Sequence, residues 1–235
     1  MHYTYFLVDI AAFLVPFLFS FHPKINFHRE YKYFFPSCLT VAFVFLAWDH
    51  FFTSRGIWRF NPDYISGINF FLLPLEEILF FICIPYACVF TYHCFKMLHP
   101  AKAAVSNKKI ISMILVAALL SAGVAFFDRA YTASAFISCA LLIFLLQFVF
   151  KVTWLGRFYF TYLILLIPFL IVNGILTGTG LDAPVVWYDN NENLGMRLFT
   201  IPVEDIFYGM LLIAGNVSGY ELLYKKNRRI NLQFQ

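Results

Sequence analysis

Two short stretches carry the residues best suited to chemistry. Pro74-Leu75-Glu76-Glu77 and Pro202-Val203-Glu204-Asp205 each set two adjacent acids behind a proline, inside a long apolar run. Ionisable groups in such runs are costly and mark function by default. Proline suits the first turn of a helix, where its missing N–H costs nothing. The free amides and dipole of that turn favour negative charge, whereas apolar surroundings and a neighbouring acid oppose it. The four acids are therefore expected to divide: some ionised, at least one holding its proton and able to act as a Brønsted acid. Adjacent helical residues point about 100° apart, so one acid of each pair can face a cavity while its neighbour supports it. An interhelical hydrogen-bonded pair would be the structural alternative. Its recurrence as a doublet, twice in register, favours function.

The two stretches belong to an internal repeat. Residues 67–78 align with 195–206 at an offset of 128, with Gly67/Gly195, Phe71/Phe199, Pro74/Pro202, Glu76/Glu204 and Ile78/Ile206 identical and Glu77/Asp205 alike in charge. Each copy has a tryptophan upstream, Trp58 and Trp187, out of step by one residue. Identity makes Glu76 and Glu204 the prime catalytic candidates, with Glu77 and Asp205 tuning them or serving as base. Pro74, Pro202, Phe71, Phe199, Trp58, Trp187, Asp49 and Asn173 are the candidates for substrate contact. Arg55, Arg59 and Arg197 are candidate partners for the acids, and His50 reads as a structural or interfacial residue.

The elements that position these groups are membrane spans. Of 235 residues, 61% are hydrophobic, 21% aromatic and only 13% charged, against about 25% charged in soluble domains. This excludes a soluble enzyme, a nucleic-acid binder and a disordered chain. Apolar runs of about 20 residues span a bilayer as helices. Seven are expected, near 3–21, 33–52, 68–95, 110–127, 131–150, 157–176 and 197–220, the third with a kink or broken start at Pro74 and Pro85. The fourth and fifth are joined by a tight turn at Asp128 and Arg129. The fold expected is an all-α polytopic membrane protein of two parallel three-helix repeats, 1–95 and 131–235, with a connecting helix and loops over 96–130. Four spans separate equivalent elements, which predicts a pseudo-twofold axis along the membrane normal.

With the N-terminus on one side, the loops of that side hold four basic residues, Arg55, Arg59, Arg129 and Arg197, and the opposite side holds the other 13 of the 17. The positive-inside rule makes the second side cytoplasmic, so the N-terminus is expected outside and the C-terminus in the cytoplasm. The first span lacks a basic segment before it and reads as retained rather than as a cleaved leader. The tail from Lys225 to Arg229 reads as an anchor on anionic lipid. The five cysteines show no CxxC pair and read as small buried hydrophobes. Neither a metal-binding HExxH nor a dinucleotide GxGxxG is present.

The doubled Pro-x-Glu-[Glu/Asp] motif, each copy opening a span of a repeated polytopic chain, resembles that of the membrane-integral lycopene cyclases, in their fused single-chain form. The resemblance covers most of the length. It implies conversion of the linear end groups of lycopene into β-ionone rings, giving β-carotene by way of γ-carotene, with no redox change and no cofactor. It also implies carotenoid substrates, a lipid bilayer (the cytoplasmic membrane) around the protein, and association with carotenoid-pathway enzymes or with a second copy, but no nucleic acid. A carboxylic acid would protonate the end group, the cation would close the ring, and a carboxylate would take a proton away. Aromatic faces would favour that cation. Rival readings are a carotenoid end-group hydratase, in which water captures the same cation; an intramembrane prenyltransferase, disfavoured because no DxxxD pair is present; and a proton-coupled transporter. A retinal-binding opsin is disfavoured because the seventh span has no lysine.

Overall fold

The computed structural model describes residues 2–98 and 105–233, with side chains through 97 and from 105 to 227. Lys102 and the side chains of Arg228 and Arg229, counted in the charge distribution, lie outside the described residues. Among the described residues seven α-helices follow one another: α1 (Thr4–Phe19), α2 (Tyr31–Ser54), α3 (Leu75–Leu98), α4 (Lys108–Ala125), α5 (Ala130–Phe144), α6 (Leu155–Leu176) and α7 (Val203–Gln233). Six are long and apolar enough to cross a bilayer, and α1 is a shorter apolar helix. Helices satisfy their own backbone groups, as hydrocarbon demands. The protein is an all-α polytopic membrane protein.

Two boundaries differ from expectation. The stretches 68–74 and 197–202 are apolar, but they are hairpins rather than helix starts. Strand β2 (Asn69–Phe70) pairs with β3 (Leu73–Pro74), and β5 (Arg197–Leu198) pairs with β6 (Ile201–Pro202). Gly67 and Gly195 enter them at φ 82° and 69°, and the turn residues Phe71 and Phe199 take φ 55° and 57°, conformations that interrupt a right-handed helix. Helices α3 and α7 therefore begin right after Pro74 and Pro202. Pro85 lies within α3 without ending it.

The halves interlock. Helix α1 packs on α3 and α5 on α7, while α2 crosses over to α7, α6 crosses to α3, and the connector α4 lies along α5. One strand pair is symmetric under the offset of 128. β1 (Trp58–Phe60) lies antiparallel to β4 (Val186–Tyr188), with Trp58 opposite Tyr188, Arg59 opposite its own counterpart Trp187, and Phe60 opposite Val186. Flanking bonds repeat the symmetry: Asn61 N–H donates to Val185 O and Asp189 N–H donates to Ile57 O, each at 2.8 Å. At the far end of the bundle, Tyr92 donates to Glu221 (2.8 Å) and Tyr220 bonds His93 (3.0 Å). These are also crossed partners at the offset of 128, and they tie α3 to α7.

Candidate active site

The strand pair and the adjoining helix ends roof a chamber of about 270 Å³. Its polar groups gather under the roof: Tyr5 from α1, Asp49 from α2, Glu77 from α3, Tyr131 from α5, Asn173 from α6, Asp205 and Tyr208 from α7, with Trp58 and Tyr188 from the strands. Below them Ala12, Ile84, Ala87, Leu165, Val172 and Leu212 make the walls apolar. Along α3 the chamber runs from Glu77 to Thr91, about 21 Å at helical rise.

The second acid of each motif faces this space, and the two have different surroundings. Glu77 accepts from the Tyr5 hydroxyl at 2.6 Å and stands beside the Asp49 carboxyl in the chamber lining. Two carboxyl groups can bond to each other only through a proton, because an ionised carboxylate is an acceptor alone. Asp205 instead accepts from Tyr131 (2.5 Å), Asn173 (2.6 Å) and Tyr188 (3.1 Å). Three donors therefore converge on this one carboxyl group. The chamber thus sets two carboxyl groups side by side, Asp49 and Glu77, and a third, Asp205, among three hydrogen-bond donors.

The first acids behave otherwise. Glu76 Oε1 accepts from Ser66 N–H and Glu204 Oε1 from Leu194 N–H, each at 2.7 Å, positions again related by 128. Thr132 adds a 2.6 Å bond to Glu204. Both side chains are fully buried and neither lines the chamber. They fasten the loop ahead of each hairpin to the helix after it, and so fix where Glu77 and Asp205 stand.

Among the expected contact residues, Trp58, Asp49 and Asn173 line the chamber. Pro74 and Pro202 are buried at the hairpin ends, while Phe71 and Phe199 sit at the hairpin tips, 93% and 80% exposed. Trp187 points to the outer face of the strand whose inner face carries Tyr188. The expected arginine partners are engaged elsewhere: Arg197 bonds Thr200 O (2.6 Å) and Asn190 (2.9 Å), and Arg55 lies over the Phe51 ring. Among the described residues the salt bridge is Lys96–Glu221, at the opposite end of the bundle.

Sequence reasoning did not find Tyr5, Tyr131, Tyr188 and Tyr208. Trp58, Tyr131, Tyr188 and Tyr208 form an aromatic cage beside the acids, with centroid separations of 5.2 Å (Trp58–Tyr131), 5.8 Å (Tyr131–Tyr188) and 6.1 Å (Tyr131–Tyr208). Such faces attract cations. Asp9 was also missed. It is fully buried on α1, one turn below Tyr5, and both its oxygens lack a hydrogen-bond partner. A signal existed for the tyrosines, since Tyr5 and Tyr131 both open apolar spans, but aromatics are so frequent here that it does not stand out.

Fold and chamber together define an integral membrane protein with a largely apolar internal chamber lined by carboxyl groups. The family model described as lycopene cyclase matches residues 2–95 and 128–223, two repeated regions that leave out α4. The chain belongs to the lycopene cyclase family, and is a carotenoid cyclase acting on a linear carotenoid. No curated protein and no solved structure matches it.

Proposed function

We propose that this protein closes the ψ-end groups of lycopene into β-ionone rings. The Asp49–Glu77 pair acts as the acid and Asp205 as the base. The observation that carries this reading is the contrast across one chamber between two carboxyls set side by side, Asp49 and Glu77, and a third, Asp205, that accepts three hydrogen bonds. The pair delivers its proton to C2 of the terminal double bond, leaving a tertiary cation at C1. The C5–C6 double bond attacks C1, the ring closes, and the charge moves to C5. Asp205 removes the C6 proton, and the electrons of that C–H bond restore the C5–C6 double bond. Protons balance, so the site resets when one proton returns from Asp205 to the pair. Tyr188 supports that return, because it bonds Asp205 and lies within electrostatic reach of Glu77 and Asp49.

The rest of the chamber serves the cation. The cage of Trp58, Tyr131, Tyr188 and Tyr208 offers π-faces, and apolar walls keep out water that would trap the cation as an alcohol. Helices α1 and α6 touch only lightly, and Ala12 and Pro16 of one and Leu165 and Phe169 of the other line the chamber. That seam suits lateral access from lipid. The distribution of Lys and Arg supports a placement with the N-terminus outside and the acids at the outer end of the bundle.

Pigment analysis of lycopene-accumulating cells expressing this chain alone tests the reading. β-Carotene is expected. A hydroxylated acyclic product would reassign the chain to end-group hydration, and unchanged lycopene with the protein verified in the membrane would reject both.

A further inference from the structure

The duplicated motif suggests two catalytic centres, yet the two clefts related by the pseudo-twofold axis are not alike. In one, α6 stands off α3, and Ala87, Cys88 and Thr91 of α3 look into the chamber. The counterparts of these residues on α7, at the offset of 128, are Gly215, Asn216 and Gly219. There α2, the counterpart of α6, is pressed onto α7. A Cβ placed on Gly215 would lie 3.5 Å from Val41, and one on Gly219 only 2.1 Å from the Ser37 hydroxyl. Ser37 also donates to Asn216 O at 2.9 Å, which locks the contact. Small residues four apart let helices in a membrane approach closely. The α2–α7 contact is accordingly far more extensive than the α3–α6 contact. One cleft of the pair is sealed, and the chamber-facing acid of each motif, Glu77 and Asp205, lies in the lining of the other.

Resting on the cyclase reading above, we infer that the protein has a single cyclisation chamber, which accepts one end group at a time. A two-ringed product then requires two separate dockings. Monocyclic γ-carotene leaves the chamber and must return by its opposite end. The repeat builds the two walls of one site rather than two sites.

The test uses the full-length protein in lipid vesicles loaded with lycopene, following γ- and β-carotene by chromatography. Isotopically labelled lycopene supplied to the wild type with excess unlabelled γ-carotene should place its label in free γ-carotene first, with almost none in β-carotene while the unlabelled excess lasts. Labelled β-carotene formed from the first turnovers despite that excess would overturn the inference. Glu77→Gln and Asp205→Asn should each lose closure of both ends together, by roughly 100-fold or more. Ala87→Trp, which fills the open cleft and touches neither acid nor the α2–α7 seam, should do the same. Ring closure at a rate comparable to wild type in any of the three would mean a second working centre and would overturn the inference. A wild type that forms no ring at all overturns the cyclase reading itself, a result distinct from rings formed at two centres.

Discussion

Asp49 and Glu77 stand beside each other in the chamber lining, while Arg197 and Arg55 are engaged elsewhere. A hydrogen bond between two carboxyl groups requires a proton on one of them. Asp49→Asn preserves a hydrogen bond to Glu77, since the amide can donate, but removes the transferable proton. Ring formation is expected to fall by about 10²–10⁴-fold, the usual contribution of a positioned acid, with the protein still accumulating in the membrane. Initial rates of γ-carotene formation at matched protein level check this. Activity within a few-fold of wild type would remove Asp49 from the acid.

On the opposite wall, the three donors to Asp205 come from three separate elements, α5, α6 and β4. Leaving a buried acceptor short of one donor costs about 1–3 kcal/mol. Asn173→Leu and Tyr131→Phe are therefore each expected to slow ring closure by roughly ten- to a hundredfold if the deficit falls on the transition state. The double variant should fall short of the product of the two effects, because both act on one carboxylate. A double-mutant cycle on initial rates gives the answer, and strict additivity would show that they do not share Asp205.

The motif was legible in the sequence, but not which acid of each pair lines the chamber. Identity across the repeat pointed to Glu76 and Glu204. They are identical because both copies need the same loop fastened, a requirement that symmetry preserves. The chamber-facing acids, Glu77 and Asp205, differ between copies, and so do their partners. The one-residue slip of Trp58 against Trp187 has the same kind of cause: neighbouring strand residues face opposite ways, so one ring enters the chamber and the other leaves it. The hairpins were hidden because apolar content, which locates spans, says nothing about a positive φ at Phe71 or Phe199. Asp49 and Asn173 were recognisable as rare polar residues at span ends, whereas Asp9, deep in α1, was passed over.

The fastening role of the first acids separates them from the second by experiment. Glu76→Gln and Glu204→Gln keep an Oε1 acceptor for Ser66 and Leu194 N–H, so ring closure is expected to persist within about tenfold of wild type. Glu76→Leu and Glu204→Leu remove the acceptor and orphan a buried amide, which should destabilise the protein by about 1–3 kcal/mol. Thermal melts in detergent alongside pigment yields distinguish the two effects. Complete loss of activity in a well-folded Glu76→Gln or Glu204→Gln protein would return these residues to the chemistry.

Trp58 touches Phe52, Tyr131, Tyr188 and Tyr208, so its removal opens the cage where the cation forms. A cation over an aromatic face gains about 0.5–2 kcal/mol, which places the loss for Trp58→Ala at roughly 3- to 30-fold in rate. Product identity should change as well. Water admitted beside the cation competes with ring closure, so a tertiary alcohol is expected among the products of Trp58→Ala and not among those of Trp58→Phe. Mass spectrometry of the carotenoid extract detects it. Alcohol in neither variant, at reduced rate, would assign Trp58 to packing alone.

Phe71 and Phe199 occupy equivalent hairpin turns in left-handed backbone, a conformation that costs an ordinary residue about 1–2 kcal/mol, and both rings project away from the chamber. Asn tolerates that conformation far better. Phe71→Asn and Phe199→Asn are expected to leave the detergent melting temperature unchanged or raised, and ring closure within about twofold of wild type, because neither tip lines the chamber and relieving strain costs the fold nothing. Two exposed aromatic tips at equivalent depth suit the membrane–water interface. The double variant should therefore be released from vesicles by mild detergent more readily than the wild type. A tenfold loss of cyclisation in either single variant, with melting unaffected, would put the tips on the path of the substrate instead.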